Sequence, residues 1–220
     1  MSTDQTAPLL ATRFRSFLPI VIDVETGGFN AATDALLEIA AVIISADEQG
    51  KLYRSETFAF HVQPFPGAIL NDDSLAVNGI KPFHPLRPAI EEHDAITRIF
   101  QPVRAAIKHN MCTRAILVGH NPALDLNFLN AAVARNNIKR NPFHPFSTFD
   151  TATLAGLAYG QTVLSRAVHA AGFDWDDSRA HAARYDAERT AELFCEIVNR
   201  WDDSLKNAAL TPPWLSTASG

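Results

Sequence analysis

The apolar positions at the start of the chain fall into three short runs that are rich in β-branched residues. These runs, Leu18–Val24, Leu36–Ile44 and Thr57–Val62, each have the length of a strand. Their close spacing predicts an antiparallel meander. The proline-rich sequence at 63–88 predicts irregular chain after it.

Helical patterns dominate beyond residue 88. Apolar residues recur at helical spacing over Ala89–His109, where Pro102 predicts a break or kink, and a fourth strand is predicted at Ala115–Val118. A further strand is expected just before Asp150. The remaining predicted helices are Pro122–Asn136, Thr151–Tyr159, Val163–Ala171 and Ala182–Trp201. This order predicts an α/β fold with a mixed β-sheet flanked by α-helices.

The same periodicity predicts the domain boundaries. It begins near Phe14 and stops near Trp201, so we predict one domain over residues 14–201, with loose termini at 1–13 and 202–220. A chain of 220 residues, of which 47% are hydrophobic, is large enough to bury a single core.

Charge and cysteine content narrow the class of protein. A formal net charge of −5 argues against an indiscriminate nucleic-acid binder unless basic residues are concentrated on one surface. Cys112 and Cys195 are far apart and lack metal-binding spacing, which argues against a zinc site and a disulfide framework. Neither a membrane-spanning run nor a signal-like start is visible, so we expect a cytoplasmic protein without membrane association.

Asp23 and Glu25 form the first candidate cluster. Two-residue spacing on a strand directs both carboxylates to one face of the sheet, at the carboxyl end of an apolar strand. Acids in that position are costly unless divalent cations offset them. A strand that simply enters a turn with solvated acids is the alternative.

Asp125 is the second candidate. Asn121 is expected to cap a helix that begins at Pro122, which places Asp125 in the first turn, next to a strand end. Ligands collect outside the carboxyl ends of strands in open α/β sheets, and Asp23 and Glu25 would lie there too. A favourable interaction with the helix dipole is the alternative role.

His181 and Asp186 are the third candidate. Five residues correspond to about 140° on a helix, so the two side chains do not share a face. We place His181 on the loop before the helix and Asp186 on the inward face with Thr190, Leu193 and Ile197. An inward carboxylate needs a partner, such as a metal ion, whereas His181 alone also fits an ordinary loop histidine.

The joint donor set favours hard divalent cations. Four carboxylates and one histidine predict a site for two Mg²⁺ ions, with Mn²⁺ as a substitute, rather than zinc. Two ions about 4 Å apart activate a water molecule and stabilise the leaving oxygen, which is the two-metal route to phosphodiester cleavage. A neutral His181 near the first ion would accept the proton of the water.

Three motifs contain these residues: Asp-x-Glu-Thr-Gly at 23–27, Gly-His-Asn-x-x-x-Asp at 119–125 and His-x-x-x-x-Asp at 181–186. They resemble the motifs of the DEDDh exonucleases. A wider resemblance to bacterial ribonuclease T covers almost the whole chain, including Phe14-Arg15 and the segments 33–40, 139–146, 149–152 and 192–201.

This resemblance implies a ribonuclease-H-like fold, a homodimer and two Mg²⁺ ions per subunit. It also implies 3′→5′ trimming of RNA 3′ ends in tRNA maturation, in turnover of the tRNA CCA end and in processing of other stable RNAs.

The family stacks 3′-terminal bases on aromatic side chains, and Phe29 and Phe146 match two such positions. Val77 and Leu124 stand at two further positions where phenylalanine is expected. Because stacking contributes about 1–3 kcal/mol per base, we predict retained activity with altered base discrimination. Without the resemblance, Phe29 and Phe146 fit core aromatics equally well.

Three other residues complete the predicted substrate site. Asp73 stands where glutamate is expected, and Thr26 and Gly27 belong to the first motif.

Basic residues dispersed along the sequence are candidates for one RNA-binding patch. They are Arg13, Arg15, Lys108, Arg114, Lys139 and Arg140. The resemblance implies that this patch on one subunit faces the active site of the other, whereas scattered surface charge is the alternative.

Other functions remain open. The motifs specify phosphodiester chemistry and not the sugar, so a proofreading-type DNA exonuclease or an oligoribonuclease of the same group also fits. A non-catalytic nucleic-acid-binding module of the same fold is a further alternative, although the metal-ligand set is intact. The lack of a paired-histidine motif disfavours a zinc hydrolase.

Overall fold

The structure is a computed structural model that describes residues 9–208, and it contains a five-stranded sheet in the order β3-β2-β1-β4-β5. The strands are β1 (Phe17–Thr26), β2 (Leu36–Ala46), β3 (Leu52–His61), β4 (Arg114–Gly119) and β5 (Phe143–Asp150). β1 to β3 form the predicted antiparallel meander. β4 runs parallel to β1, and β5 runs parallel to β4.

Helices flank this sheet, as the sequence predicts. They are α1 (Asp72–Asn78), α2 (Glu92–His109), α3 (Ala123–Arg135), α4 (Thr151–Tyr159), α5 (Leu164–Ala170) and α6 (Ala183–Asn207). α6 packs across β1, β2 and β3. Among the described residues, no helix has the length and apolarity needed to cross a membrane.

The core surrounds the central strand. Ile20, Val21 and Ile22 of β1 are fully buried, as expected for a strand with apolar cover on both faces. Asp23 follows directly after this run. The first candidate acids therefore emerge from a closed apolar core.

α1 and α2 differ from the prediction. α1 lies in the segment that was expected to be irregular, and the side chain of Asn71 caps it by accepting from the N–H groups of Asp73 and Ser74. Its seven residues are too few to show helical periodicity. α2 continues through Pro102 without a break. Proline has no N–H to donate to the carbonyl oxygen of Arg98, four residues earlier. Arg98 is exposed, so water can replace the lost hydrogen bond.

The folded unit extends beyond the predicted boundaries at both ends. Leu10 belongs to the main core, and the buried Arg13 pairs with Asp202 at 2.7 Å. α6 continues to Asn207. The two ends are held together by an ion pair and not by a stripe of apolar residues. Apolar periodicity therefore did not predict that they belong to the folded unit. Residues 1–8 and 209–220 of the predicted loose termini lie outside the described residues.

Candidate active site

Two carboxylates project from the carboxyl end of the central strand. Asp23 and Glu25 lie on the same face of the sheet because they are two residues apart on β1. β1 pairs with β4 only as far as Val21, opposite Val118. The parallel strands separate just before the acids, and the space between them receives side chains from other elements.

Asp125 enters this space from the first turn of α3. Its Oδ1 accepts a hydrogen bond at 3.0 Å from the backbone N–H of Val24, beyond the last residue that pairs with β4. Gly119 permits the approach, because a Cβ there would lie 3.0 Å from Pro122 Cβ and 3.3 Å from Asp125 Oδ2. Asp125 therefore holds the strand end in addition to its place near the helix N-terminus.

Asp186 and His181 come from the start of α6. Asp186 is buried with Thr190 and Leu193 on the inward face, as predicted. His181 is exposed, has a left-handed φ of 61°, and donates its backbone N–H to Asp186 Oδ2 at 3.1 Å. The other oxygen, Asp186 Oδ1, is buried and has no hydrogen-bond partner among the described residues. A bound cation would satisfy it.

Burial and mutual repulsion raise the pKa values of these acids. Desolvation, followed by repulsion from Asp125, Asp186 and Glu25, raises the pKa of Asp23 well above its usual value of 3.8. Desolvation and the Asp186 carboxylate raise the pKa of Glu25 to about 8. Burial raises the pKa of Asp125 to about 7 and that of Asp186 to about 6, against the effect of their N–H donors. All four acids can therefore be ionised together near neutral pH only when a cation lies beside them.

The donor atoms fit a divalent metal ion. One ligand atom each from Glu25, His181 and Asp186 lies within 4.8 Å of the others. Asp23 and Asp125 add carboxylate oxygens beside them. A set dominated by carboxylate oxygens suits Mg²⁺ or Mn²⁺.

Asp23, Glu25 and Asp186 line an open pocket of about 490 Å³. Five of the seven predicted substrate residues also line it, Gly27 lies beside it, and Phe146 is the exception. The lining residues among them are Thr26, Phe29, Asp73, Val77 and Leu124. Phe29 is 84% exposed, so it is free to contact a ligand and is not a core aromatic. Gly27 lies beside the pocket, where a Cβ would approach the Ile69 carbonyl oxygen to 2.9 Å.

Phe146 is the exception. It projects from β5 and is 77% exposed, with its ring 4.5 Å from that of His144. His144 in turn packs against Phe17, at the amino end of β1, whereas the acids lie at the carboxyl end. Within one chain, Phe146 therefore does not line the pocket that contains Phe29, and its contact with a 3′-terminal base stays a prediction.

Several residues that line the pocket were not predicted from the sequence. Asn71, Ser74 and Asn78 come from α1 and its cap, in the segment that was predicted to be irregular. Asn78 Nδ2 donates to the Thr26 carbonyl at 3.1 Å, and its hydrogen bond to Glu25 lowers the pKa of that acid against the effect of burial. Leu164, at the start of α5, also lines the pocket.

His120 and Asp150 support the loops beside the pocket. His120 lines the pocket, and its Nε2 lies 2.8 Å from the Thr162 carbonyl oxygen. Asp150 caps α4 and also accepts a hydrogen bond from the N–H of Asn121 at 3.0 Å. Asp150 therefore links the start of α4 to the loop that precedes α3. Asn121 adopts a left-handed φ of 61° instead of capping α3 as predicted.

Basic side chains gather at the opposite end of the sheet. Lys108 and Arg114 line a polar groove with Arg104, whose guanidinium donates to the carbonyl oxygens of Lys139 and Arg140. Arg15 contacts Phe17 near Arg114, which pairs with Phe17 in the sheet. We call this set the basic surface: Arg15, Arg104, Lys108, Arg114, Lys139 and Arg140.

Arg13, which was predicted to belong to this patch, is instead buried. Both guanidinium Nη atoms donate to the Asp202 carboxylate, at 2.7 and 3.2 Å. Arg104 belongs to the basic surface, although it was not among the residues predicted for the patch. Its position four residues before Lys108 on α2 puts both side chains on one helical face, and this spacing is a signal that the sequence contains.

Comparison with known proteins identifies the family. Residues 20–194 match the family model described as Exonuclease, which is more than half of the 220-residue chain. The chain belongs to this exonuclease family.

Solved structures of E. coli Exonuclease I share the fold of this exonuclease. The complex with a dT13 oligonucleotide is 18% identical with a TM-score of 0.65, and the match covers 87% of this chain and 43% of that chain. The dA16 complex gives 18% and 0.63, and the zinc-bound complex with single-stranded DNA gives 19% and 0.64, at the same coverage. These matches confirm the expected ribonuclease-H-like sheet. The chain spans less than half the length of the structures it matches.

Proposed function

We propose that this exonuclease is a Mg²⁺-dependent 3′→5′ exoribonuclease. The observation that supports the proposal best is the convergence of Asp23, Glu25, Asp125 and Asp186, from three separate elements, beside an open pocket. The unpartnered Oδ1 of Asp186 and the raised pKa values indicate that this cluster is built for cations. The DEDDh resemblance of the motifs supports the 3′→5′ direction.

The side chains divide the chemical roles. Asp23, Glu25, Asp125, His181 and Asp186 would hold two Mg²⁺ ions, and Mn²⁺ would substitute. Bound ions supply charge that activates an attacking water and stabilises the leaving oxygen. His181 stands exposed at the pocket, where it accepts the proton of that water.

The pocket wall suits an unpaired 3′ end. Phe29, Val77 and Leu124 offer apolar surface to the terminal bases, and such contact requires unstacked, single-stranded nucleotides. The resemblance to ribonuclease T beyond the motifs supports RNA as the substrate. On this basis the targets are the 3′ ends of tRNA precursors, the tRNA CCA end and other stable RNAs.

A homodimer would complete the RNA path. Phe17 and Glu25 mark the two ends of β1, so the basic surface lies about 25 Å from the acids of the same chain. A second subunit in the opposite orientation brings its basic surface, and Phe146 beside it, towards the first pocket. We propose this arrangement, in the cytoplasm, as the functional form.

A DNA 3′ exonuclease is the second candidate. It is favoured by the solved structures that share the fold, since these are complexes of Exonuclease I with dT13 and dA16 oligonucleotides. The acid cluster serves either sugar, so substrate preference decides between the two.

Digestion of matched 3′-overhanging RNA and DNA tests the proposal. The wild type, Asp23→Asn and the surface control Asp203→Asn are compared in Mg²⁺ and after chelation. For the wild type and for Asp203→Asn, we expect stepwise loss of RNA 3′ nucleotides in Mg²⁺ and no loss after chelation. Asp23→Asn should show no loss in either condition. Faster loss from DNA would support the second candidate, and binding without release would exclude both in favour of a non-catalytic module.

A further inference from the structure

Glu38 is a further acid close to Asp23 and Glu25, and the proposed mechanism does not use it. It lies on β2 directly opposite Glu25 on β1 and His61 on β3, so the three side chains share one face of the sheet. Its side chain is only 16% exposed, and its charge raises the pKa of Asp23 and of Glu25. A like charge weakens the cluster, so its presence needs another reason.

The amino end of α6 supplies that reason. Its N-cap residue, Ala182, has no side chain that can accept a hydrogen bond. Glu38 Oε2 instead accepts the N–H of Ala183 at 3.3 Å. A carboxylate there satisfies an unpaired N–H group and interacts favourably with the helix dipole. α6 therefore takes its cap from a neighbouring strand.

The capped turn leads directly to His181. This residue lies two positions before Ala183, and its left-handed φ of 61° is uncommon for a residue with a side chain. Asp186 holds its backbone N–H from within the helix. Glu38 holds Ala183 from the sheet. The position of the exposed imidazole depends on these two backbone contacts.

His61 lies beside the second oxygen of the glutamate. Its Nδ1 lies 2.8 Å from Glu38 Oε1. Oε2 accepts the Ala183 N–H, whereas Asp186 Oδ1 has no hydrogen-bond partner among the described residues. These contacts distinguish Glu38 from the metal ligands.

We propose that Glu38 is a positioning residue that caps α6 and thereby holds His181 in place for proton transfer. The kinetic consequence rests on the proposed hydrolytic function. The cap itself does not depend on that function.

Glutamate-to-glutamine replacement separates the cap from the charge. Glu38→Gln keeps an oxygen that can accept the Ala183 N–H, whereas Glu38→Ala removes it. We expect Glu38→Ala to lower kcat by roughly 10–100-fold with KM within about threefold of the wild type, the usual cost of losing a supporting contact. Glu38→Gln should retain kcat within about threefold.

Backbone hydrogen exchange in the segment 181–186 gives a readout that does not require activity. We expect faster exchange there in Glu38→Ala than in the wild type or in Glu38→Gln. The matched control is Glu56→Ala, an exposed glutamate on β3, which should change neither kcat nor exchange.

Two outcomes would overturn the proposal. Full kcat and unchanged exchange in Glu38→Ala would show that the cap does not position His181. Equal loss of kcat in Glu38→Gln and Glu38→Ala would assign the effect to the charge of Glu38 and not to the cap. A wild type that degrades no nucleic acid would contradict the proposed function alone, and hydrogen exchange would still decide about the cap.

Discussion

Val77 and Leu124 give the pocket an apolar wall without rings, at two positions where phenylalanine is expected. Val77→Phe and Leu124→Phe each add a surface on which a base can stack, so each should strengthen binding of a single-stranded 3′ end by about 1–3 kcal/mol. The measurement is KM for RNAs that differ only in their last two bases.

The control for these variants is Leu157→Phe, at an exposed leucine of α4 that is not part of the pocket. It should leave KM unchanged. An unchanged KM in both pocket variants would mean that this wall does not contact the bases.

The placement of candidate side chains was predicted correctly where local spacing carries the information. Asp23 and Glu25 follow from strand alternation, and Asp186 follows from its place on an apolar helical face. Glu38 gave only a weak signal, a charge within an apolar run, because its partners His61 and Ala183 are distant in sequence. The location of Phe146 depends on strand order, which no local pattern specifies.

Gly119, at the junction of β4 and α3, leads to a prediction at the level of elements. Gly119→Ala places a Cβ against Pro122 and Asp125, so α3 must shift away from the strand end. We expect destabilisation of about 1–3 kcal/mol, as for other overpacked sites, together with a large loss of kcat because Asp125 moves. Thermal unfolding and steady-state kinetics measure the two effects.

Gly156→Ala in α4 is the matched control. A Cβ there meets only Thr162 Cγ2, at 3.3 Å, and alanine favours the helix. It should keep both activity and stability. If Gly119→Ala also kept activity and stability, the close packing of Gly119 against Pro122 and Asp125 would not be needed for either.

Elements with a strong periodic pattern were predicted well, and those without one were not. The apolar runs that predict β1 and β2 lie within the observed strands, because buried central strands carry long apolar runs. α1 was missed because a short polar helix is defined by its Asn71 cap. The last turns of α6 were missed because Asp202 is buried through an ion pair and not through apolar contact.

The stability of the whole molecule should depend on Mg²⁺ and on pH together. The pKa of Glu25 in the folded, metal-free protein is about 8, above its usual value of 4.5. Between these values the folded state binds more protons than the unfolded state, so its stability falls as pH rises from about 4.5 to about 8. Mg²⁺ replaces the protons, so its stabilising effect should be larger at pH 8 than at pH 6.

Thermal unfolding with Mg²⁺ or a chelator at both pH values tests this. A Mg²⁺ concentration about 100-fold above Kd contributes about 2.7 kcal/mol, or roughly 5–10 °C in Tm for a domain of this size. Asp23→Asn should raise the Tm of the metal-free protein and reduce the gain from Mg²⁺. Identical Mg²⁺ effects at the two pH values would contradict the link between the raised pKa values and metal binding.

Mixing of variant subunits tests the proposed dimer. Asp23→Asn removes the acid cluster of one subunit, and Lys108→Ala with Arg114→Ala weakens the basic surface of another. If each pocket uses the basic surface of its partner, the mixture regains activity that neither variant has alone. About one quarter of wild-type activity is expected, because about half of the dimers are mixed and each mixed dimer has one complete site of two.

Activity in the mixture that equals the sum of the separate variants would show that each subunit works alone. Arg98→Ala, an exposed arginine on α2 that is not part of the basic surface, is the control for loss of charge.

Because Asp125 accepts a hydrogen bond from the Val24 N–H, substitution of Asp125 would affect both folding and activity. Asp125→Ala would remove a proposed metal ligand and also leave a buried backbone donor without its partner. A library sorted for folded protein and one sorted for activity would therefore both discard it. Glu25→Gln relieves repulsion in the cluster, so it would pass the first sort and fail the second. Deep mutational scanning would therefore separate the four carboxylates into ligands that the fold also requires and ligands that only catalysis requires.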